Sequence, residues 1–284
     1  MVVTRTLRFS QRLAGYGLAV AAFALLAPAT ARAQYKAPEL DRGAVGEKYH
    51  FEVSGTLWNP KPVGLISSEQ FSLIGSDIDV VGDLGYETTR FKDLRVVLRP
   101  STKSKFRFQY TPIRYEANTT LKRDIIFNGI KFPVQVPVES VFSWKVMRFG
   151  YEYDFVYKDR GFVGMLLDVR YTQFDAELAT SSVLLNERQF TSAKAPLPAI
   201  GVVGRGYVLP NLAINFEVSG LQLPKVSDDY EASYFDWDVH GTFNVNNNVG
   251  IQVGWRRLSN FLRIENDLGD LKFQGMWFGA AIRY

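Results

Sequence analysis

Cysteine is absent from the 284 residues, and histidine occurs only at His50 and His240. The first absence excludes disulfides, thiolate metal sites and cysteine nucleophiles. The second excludes a histidine-rich metal centre, and no metal or cofactor is expected. Charge of one sign is also missing. The chain carries 33 Lys+Arg and 29 Asp+Glu, a net +4, and Arg5, Arg8, Arg12 and Arg32 account for all of that excess. The remainder is neutral, so nothing points to nucleic acid or to an acidic substrate as a partner. Helical periodicity is almost absent, and beyond residue 33 no run reaches the ~18 apolar residues of a membrane-spanning helix. Apolar residues are plentiful, at 46 % with 14 % aromatic. Such a chain buries too much to stay disordered.

Residues 1–33 read as a secretory signal peptide. Arg5, Arg8 and Arg12 form a basic region, an apolar stretch follows over 13–26, and Ala31-Arg32-Ala33 supplies a small-x-small cleavage site. Residues 34–45 are then a short N-terminal segment of the exported chain, and 46–284 form the fold.

That fold alternates with period two. In 235–245, Phe235, Trp237, Val239, Gly241, Phe243 and Val245 share one face, while Asp236, Asp238, His240, Thr242 and Asn244 share the other. In 147–155, Met147, Phe149, Tyr151, Tyr153 and Phe155 oppose Arg148, Gly150, Glu152 and Asp154. Alternation of this kind predicts strands with one apolar and one polar face. It recurs at 50–58, 92–99, 106–111, 163–172, 199–208, 212–221, 248–257 and 271–284. The prediction is all-β: a single closed antiparallel transmembrane β-barrel of about ten strands, with eight or twelve as alternatives.

Connections alternate between short turns (100–105, 157–161, Pro210-Asn211, Asn246-Asn247) and long polar segments (59–87, 118–137, 179–195, 222–230, 259–270). The last strand runs to Tyr284 with Phe278, Ala280 and Ile282 on one face. These features resemble bacterial outer-membrane β-barrel proteins. The resemblance implies the outer membrane as location and lipid and lipopolysaccharide as surroundings. It also implies recognition of the terminal strand by the barrel-assembly machinery. Trp58, Trp144, Tyr157, Tyr171, Trp255 and Tyr284 are candidates for interfacial aromatic girdles. Segment 59–87 carries enough apolar residues, among them Leu65, Ile66, Phe71, Leu73, Ile74 and Ile78, to fold into the barrel mouth.

With apolar faces outward, the lumen receives Arg95, Arg99, Arg107, Arg148, Arg170, Arg205, Arg256 and Arg283. It also receives Glu52, Asp93, Glu152, Asp154, Asp168, Glu217, Asp236 and Asp238, with His240 beside them. Equal numbers of each sign predict a self-neutralised network, because unpaired charges in a narrow interior cost several kcal/mol each. A strongly selective open pore would show one dominant sign. The expectation is a non-enzymatic barrel, either a narrow porin-like channel for small solutes or a scaffold for surface loops. Asp236-x-Asp238-x-His240 resembles the Asp-x-His element of the omptins, ten-stranded outer-membrane proteases, which implies a hydrolase as the alternative. The position of Asp238 and His240, away from the long-loop end, argues instead for membership of the lumen network.

Overall fold

The computed structural model describes residues 44–67, 75–181, 186–227, 230–264 and 267–284. The signal-peptide segment, residues 34–43, and Phe71, Leu73 and Ile74 lie outside the described residues. The strands are β1 (Phe51–Trp58), β2 (Lys61–Ser67), β3 (Ile78–Asp79), β4 (Phe91–Leu98), β5 (Ser104–Thr120), β6 (Ile125–Phe127) and β7 (Ile130–Phe132). They continue with β8 (Pro137–Lys158), β9 (Gly161–Ser181), β10 (Asn186–Leu209), β11 (Leu212–Ser227), β12 (Tyr230–Asn244), β13 (Val249–Ile264) and β14 (Asp267–Arg283). Ten of them form an all-antiparallel wall in the order β1-β4-β5-β8-β9-β10-β11-β12-β13-β14, and β14 closes it on β1.

The first wall strand is interrupted. β1 pairs with Trp277–Arg283 of β14, and β2 pairs with Leu268–Gln274 of the same strand. Between them Pro60 has no amide hydrogen to donate, while the Asn59 amide still donates to the Met276 carbonyl at 3.0 Å. β1 and β2 are therefore one strand with a break. β4 covers only the lower part of β5, pairing Leu94–Leu98 with Phe106–Tyr110. Above it β3 pairs with β2 (Leu65 with Asp79, Ile66 with Ile78), and the Tyr115 hydroxyl of β5 donates to the Pro60 carbonyl at 3.1 Å.

The outer surface has two zones. Near the short turns it is an apolar belt: Phe106 on β5, Met147 to Phe155 on β8, Met165 to Tyr171 on β9, Ile214 to Val218 on β11, Phe235 to Val245 on β12, Val249 to Trp255 on β13 and Met276 to Ile282 on β14 are exposed. About nine to eleven tilted residues cross a bilayer core, which matches this belt. β8, β9 and β10 are 22, 21 and 24 residues long, so about half of each stands beyond it. There the outer face turns polar, with Arg114, Glu116, Glu139, Lys145 and Lys272 exposed.

The inner surface changes in the opposite sense. Inside the belt it is ionic. Beyond the belt it is a hydrophobic core in which Trp58, Ile113, Tyr115, Phe142, Trp144 and Phe273 pack together. Trp144 stacks on Phe174 with centroids 4.9 Å apart, and Tyr115 stacks on Tyr86 at 5.5 Å. Trp58 and Trp144 are thus buried core residues and not girdle residues. Apolar side chains thus turn inward in the upper section and outward in the lower one, the reversal expected of a wall with water around its upper part and hydrocarbon around its lower part. Tyr171, Trp255 and Tyr284 do lie on the outer face, whereas Tyr157 is partly buried beside Arg99.

Two chain segments complete the interior. At the loop end Ile78, Val80, Leu84 and Tyr86 and the β6–β7 hairpin residues Ile125, Phe127 and Phe132 join the core. Asp83 and Arg123 clip these pieces together at 2.6 Å, and the Arg123 guanidinium also donates to the Asp77 carbonyl at 2.5 Å. Burial pushes the Asp83 carboxyl up, but the hydrogen bond and charge of Arg123 outweigh it and hold it below its ordinary range. At the turn end the chain before β1 crosses the opening as a strap. The Val45 amide donates to the Pro210 carbonyl at 2.8 Å, and the Asn244 side-chain amide donates to the Val45 carbonyl at 2.6 Å. Gly46 has φ +82°, and a Cβ there would meet Arg283 Nη1 at 2.6 Å, so the strap passes only as glycine.

Candidate functional site: the charged lumen

Strand pleat puts every second residue of the lower wall into the lumen, and all seventeen residues singled out from the sequence point there. Thirteen of them, with Lys105, make one continuous chain of contacts. Starting at the turn end, Lys105 lies 2.8 Å from Asp154 and also binds Glu152, and Glu152 binds Arg107 at 3.0 Å. Arg107 reaches across the lumen to Glu217 at 2.7 Å, and Glu217 binds Arg148. The chain continues through Arg148–Asp168 (2.7 Å), Asp168–Arg170 (2.9 Å), Arg170–Asp236 (3.2 Å) and Asp236–Arg256 (2.9 Å). It then runs through Arg256–Asp93 (3.5 Å), Asp93–Arg95 (3.2 Å) and Arg95–Asp238 (3.0 Å) to end on His240 Nδ1, 2.7 Å from Asp238. Signs alternate from Asp154 through Lys105 to Asp238.

A second group lies under the strap. Glu47 takes Arg99 at 3.3 Å, Arg205 at 2.9 Å and a hydrogen bond from the Tyr207 hydroxyl at 3.0 Å, while Arg283 binds Glu52. Glu47 and Lys105 were not read from the sequence. Lys105 keeps the parity of Arg107 and Gln109, so a strand begun one residue earlier includes it. Glu47 precedes the first strand and has no periodic signal. With these two the described lumen holds nine cationic side chains and nine carboxylates, still balanced.

Neutral hydrogen-bonding groups fill the remaining valences. Gln109 and Thr111 donate to Asp93, and Ser219 accepts from Arg170. Aromatic faces cover the cations at the border with the apolar layer: Arg256 lies 5.1 Å from Trp58, Arg95 5.0 Å from Trp277 and Arg170 4.0 Å from Tyr234. A cavity lined by Tyr49, Arg107, Glu217, His240 and Gln252 has about 60 Å³ of room. That volume holds only about four waters.

Asp238 and His240 sit inside this arrangement. Arg95 shares the Asp238 carboxylate, and the imidazole packs on Trp277 at 4.9 Å. The hydrophobic layer separates the pair from the loop end. Glu152 and Asp154 are held by Lys105 at the turn end and do not meet it. Asp238→Asn and His240→Ala are therefore expected to change heat resistance of the folded barrel without changing peptide cleavage, checked by gel mobility and a fluorogenic peptide assay. Among the described residues no cluster of three His, Asp or Glu side chains has metal-holding geometry.

No family model matches the chain, and no curated protein matches it in sequence. Solved structures do match. The outer membrane protease OmpT of Escherichia coli superposes with a TM-score of 0.52 at 9 % identity, covering 86 % of this chain and 100 % of that one. The attachment invasion locus protein Ail of Yersinia pestis (TM-score 0.36, 9 % identity, 83 % and 99 % covered) and the toluene transporter TodX of Pseudomonas putida (0.36, 7 %, 83 % and 90 %) are more distant. The closed ten-stranded wall and its likeness to OmpT define the fold class, a closed antiparallel β-barrel of the kind that outer-membrane protease has.

Proposed function

We propose that the protein resides in the outer membrane as a sealed, non-enzymatic scaffold that carries strand extensions and loops beyond the outer leaflet. The short turns then lie in the periplasm. One observation carries this reading: side chains or chain segments occupy the described lumen at three levels. The strap lies at the turn end, a charge-balanced chain fills the belt, and an apolar core with the β6–β7 hairpin fills the loop end. Of the two non-enzymatic readings, a sealed interior favours the scaffold over the channel. The similar Escherichia coli structure is a protease by name, but here the buried apolar layer lies between the Asp238–His240 pair and the loop end. Recording from planar bilayers tests the proposal. Purified protein should give no steady conductance above that of protein-free bilayers, and a stable ohmic pore would overturn it.

A further inference from the structure

The cations of the outer wall are distributed unlike those of the lumen. On the outer face of each wall strand, the first position past the apolar belt is basic or neutral and never acidic. It is Lys92 on β4, Arg114 on β5, Lys145 on β8, Lys194 on β10 and Arg257 on β13, with Gln, Ser or Asn on the others. One sector concentrates this pattern. Arg257, Gln274 and Lys61 occupy one register row across β13, β14 and β2. Lys92 stands opposite Leu57 on β1, which shares the register row of Phe278 and lies four residues before Lys61 along the chain. The Arg90 guanidinium lies 5.7 Å from the Phe278 ring, itself part of the belt, and is steadied by Asn59 at 3.0 Å.

None of these four cations forms an ion pair among the described residues. Among the other outer-wall cations, Arg114 binds Glu116, Arg263 faces Glu231 and Lys272 binds Asp270 one step above the row, whereas Lys145 and Lys194 stand apart on the opposite wall without an ion pair among the described residues. Neighbouring strands are ~4.8 Å apart, so the row presents a bay about 10 Å wide. Its floor is apolar and aromatic, formed by Trp255, Met276 and Phe278. A hydrocarbon floor beneath uncompensated Lys and Arg suits a lipid whose headgroup is anionic.

We infer that Lys61, Arg90, Lys92 and Arg257 hold the phosphate groups of a lipopolysaccharide molecule whose acyl chains lie on Trp255, Met276 and Phe278. The inference rests on the outer-membrane orientation proposed above, which places this boundary at the outer leaflet. Guanidinium and ammonium groups pair with phosphate oxygens, and membrane-surface cations each strengthen attraction to anionic lipid.

The test uses the full-length protein in detergent micelles, with lipopolysaccharide retention read by native mass spectrometry. The combined variant Lys61→Gln, Arg90→Gln, Lys92→Gln, Arg257→Gln should lose retention about tenfold or more. Lys145→Gln with Lys194→Gln, on the opposite wall, should stay within about twofold of the unaltered protein. Dephosphorylated lipopolysaccharide should bind the unaltered protein as weakly as lipopolysaccharide binds the fourfold variant. Equal losses in both variants, an unaffected fourfold variant, or phosphatidylglycerol held as tightly as lipopolysaccharide would each overturn the site. An unaltered protein with heat-dependent gel mobility that ignores lipopolysaccharide sinks this inference alone. Absence of heat-dependent mobility sinks the barrel reading as well.

Discussion

Glu217→Ala is expected to lower the unfolding free energy of the barrel by about 3–5 kcal/mol, the cost of leaving a buried charge without its partner. Glu217 projects from β11 and binds Arg107 on β5 and Arg148 on β8, on the far side of the lumen. Its removal strands two guanidiniums at once. Arg148 keeps Asp168 at 2.7 Å and Arg107 keeps Glu152 at 3.0 Å, so neither is wholly abandoned. The alternation of sign is nevertheless broken at its centre. Glu217→Gln should cost less, since an amide oxygen still accepts from one guanidinium. The measurement is the urea midpoint in micelles, backed by the temperature at which folded gel mobility is lost. A Glu217→Ala protein as stable as the unaltered one would mean that water, not the ionic chain, fills this space.

The strand alternation of the lower barrel was legible because one physical rule holds there over many residues. Met147, Phe149, Tyr151 and Tyr153 face outward while Arg148 and Glu152 face inward. The same strand hides its upper half from that rule. Val146, Trp144 and Phe142 are buried inside, and Lys145 is exposed outside, so the apolar stripe changes parity between Val146 and Met147. Tyr110 and Ile113 on β5, Trp255 and Leu258 on β13, and Phe273 and Met276 on β14 straddle similar reversals. A scan for one sustained alternation stops at each of them. For this reason the alternation marks β8 only from 147, although the strand starts at Pro137, and β9 only to 172, although it runs to Ser181. On the outer-membrane reading proposed above, the reversal has a cause that can be read in advance: the outer solvent changes from hydrocarbon to water, and the inner face compensates.

The strap and the hairpin were less accessible to sequence reasoning. Ile125, Phe127 and Phe132 are apolar residues in a long polar connection, and only the upper core of the barrel gives them somewhere to go. Glu47 has meaning only beside Arg99, Arg205 and Tyr207, which arrive from three distant points of the chain.

Trp144→Ala should be as damaging as the loss of Glu217, by a different mechanism. Trp144 is fully buried, stacks on Phe174, lies 5.4 Å from Phe273 and donates its indole hydrogen to Thr172. Truncating such a side chain costs about 3–5 kcal/mol through lost transfer energy and the cavity left behind. It also leaves the Thr172 hydroxyl unpartnered by the indole. Trp255→Ala, on the outer face at the edge of the belt, leaves no internal cavity and should cost less than half as much. The hairpin packs in the same cluster as Trp144, so loosening that cluster should expose its connecting segment. Trypsin should then cut at Arg123 or Lys131 about tenfold faster in Trp144→Ala than in Trp255→Ala, read by mass spectrometry of the nicked chain. Equal rates would show that the hairpin is held from outside the core, by the Asp83–Arg123 clip. The upper barrel would then be a hollow vestibule with a tethered flap, and the sealed-scaffold reading would lose its upper closure.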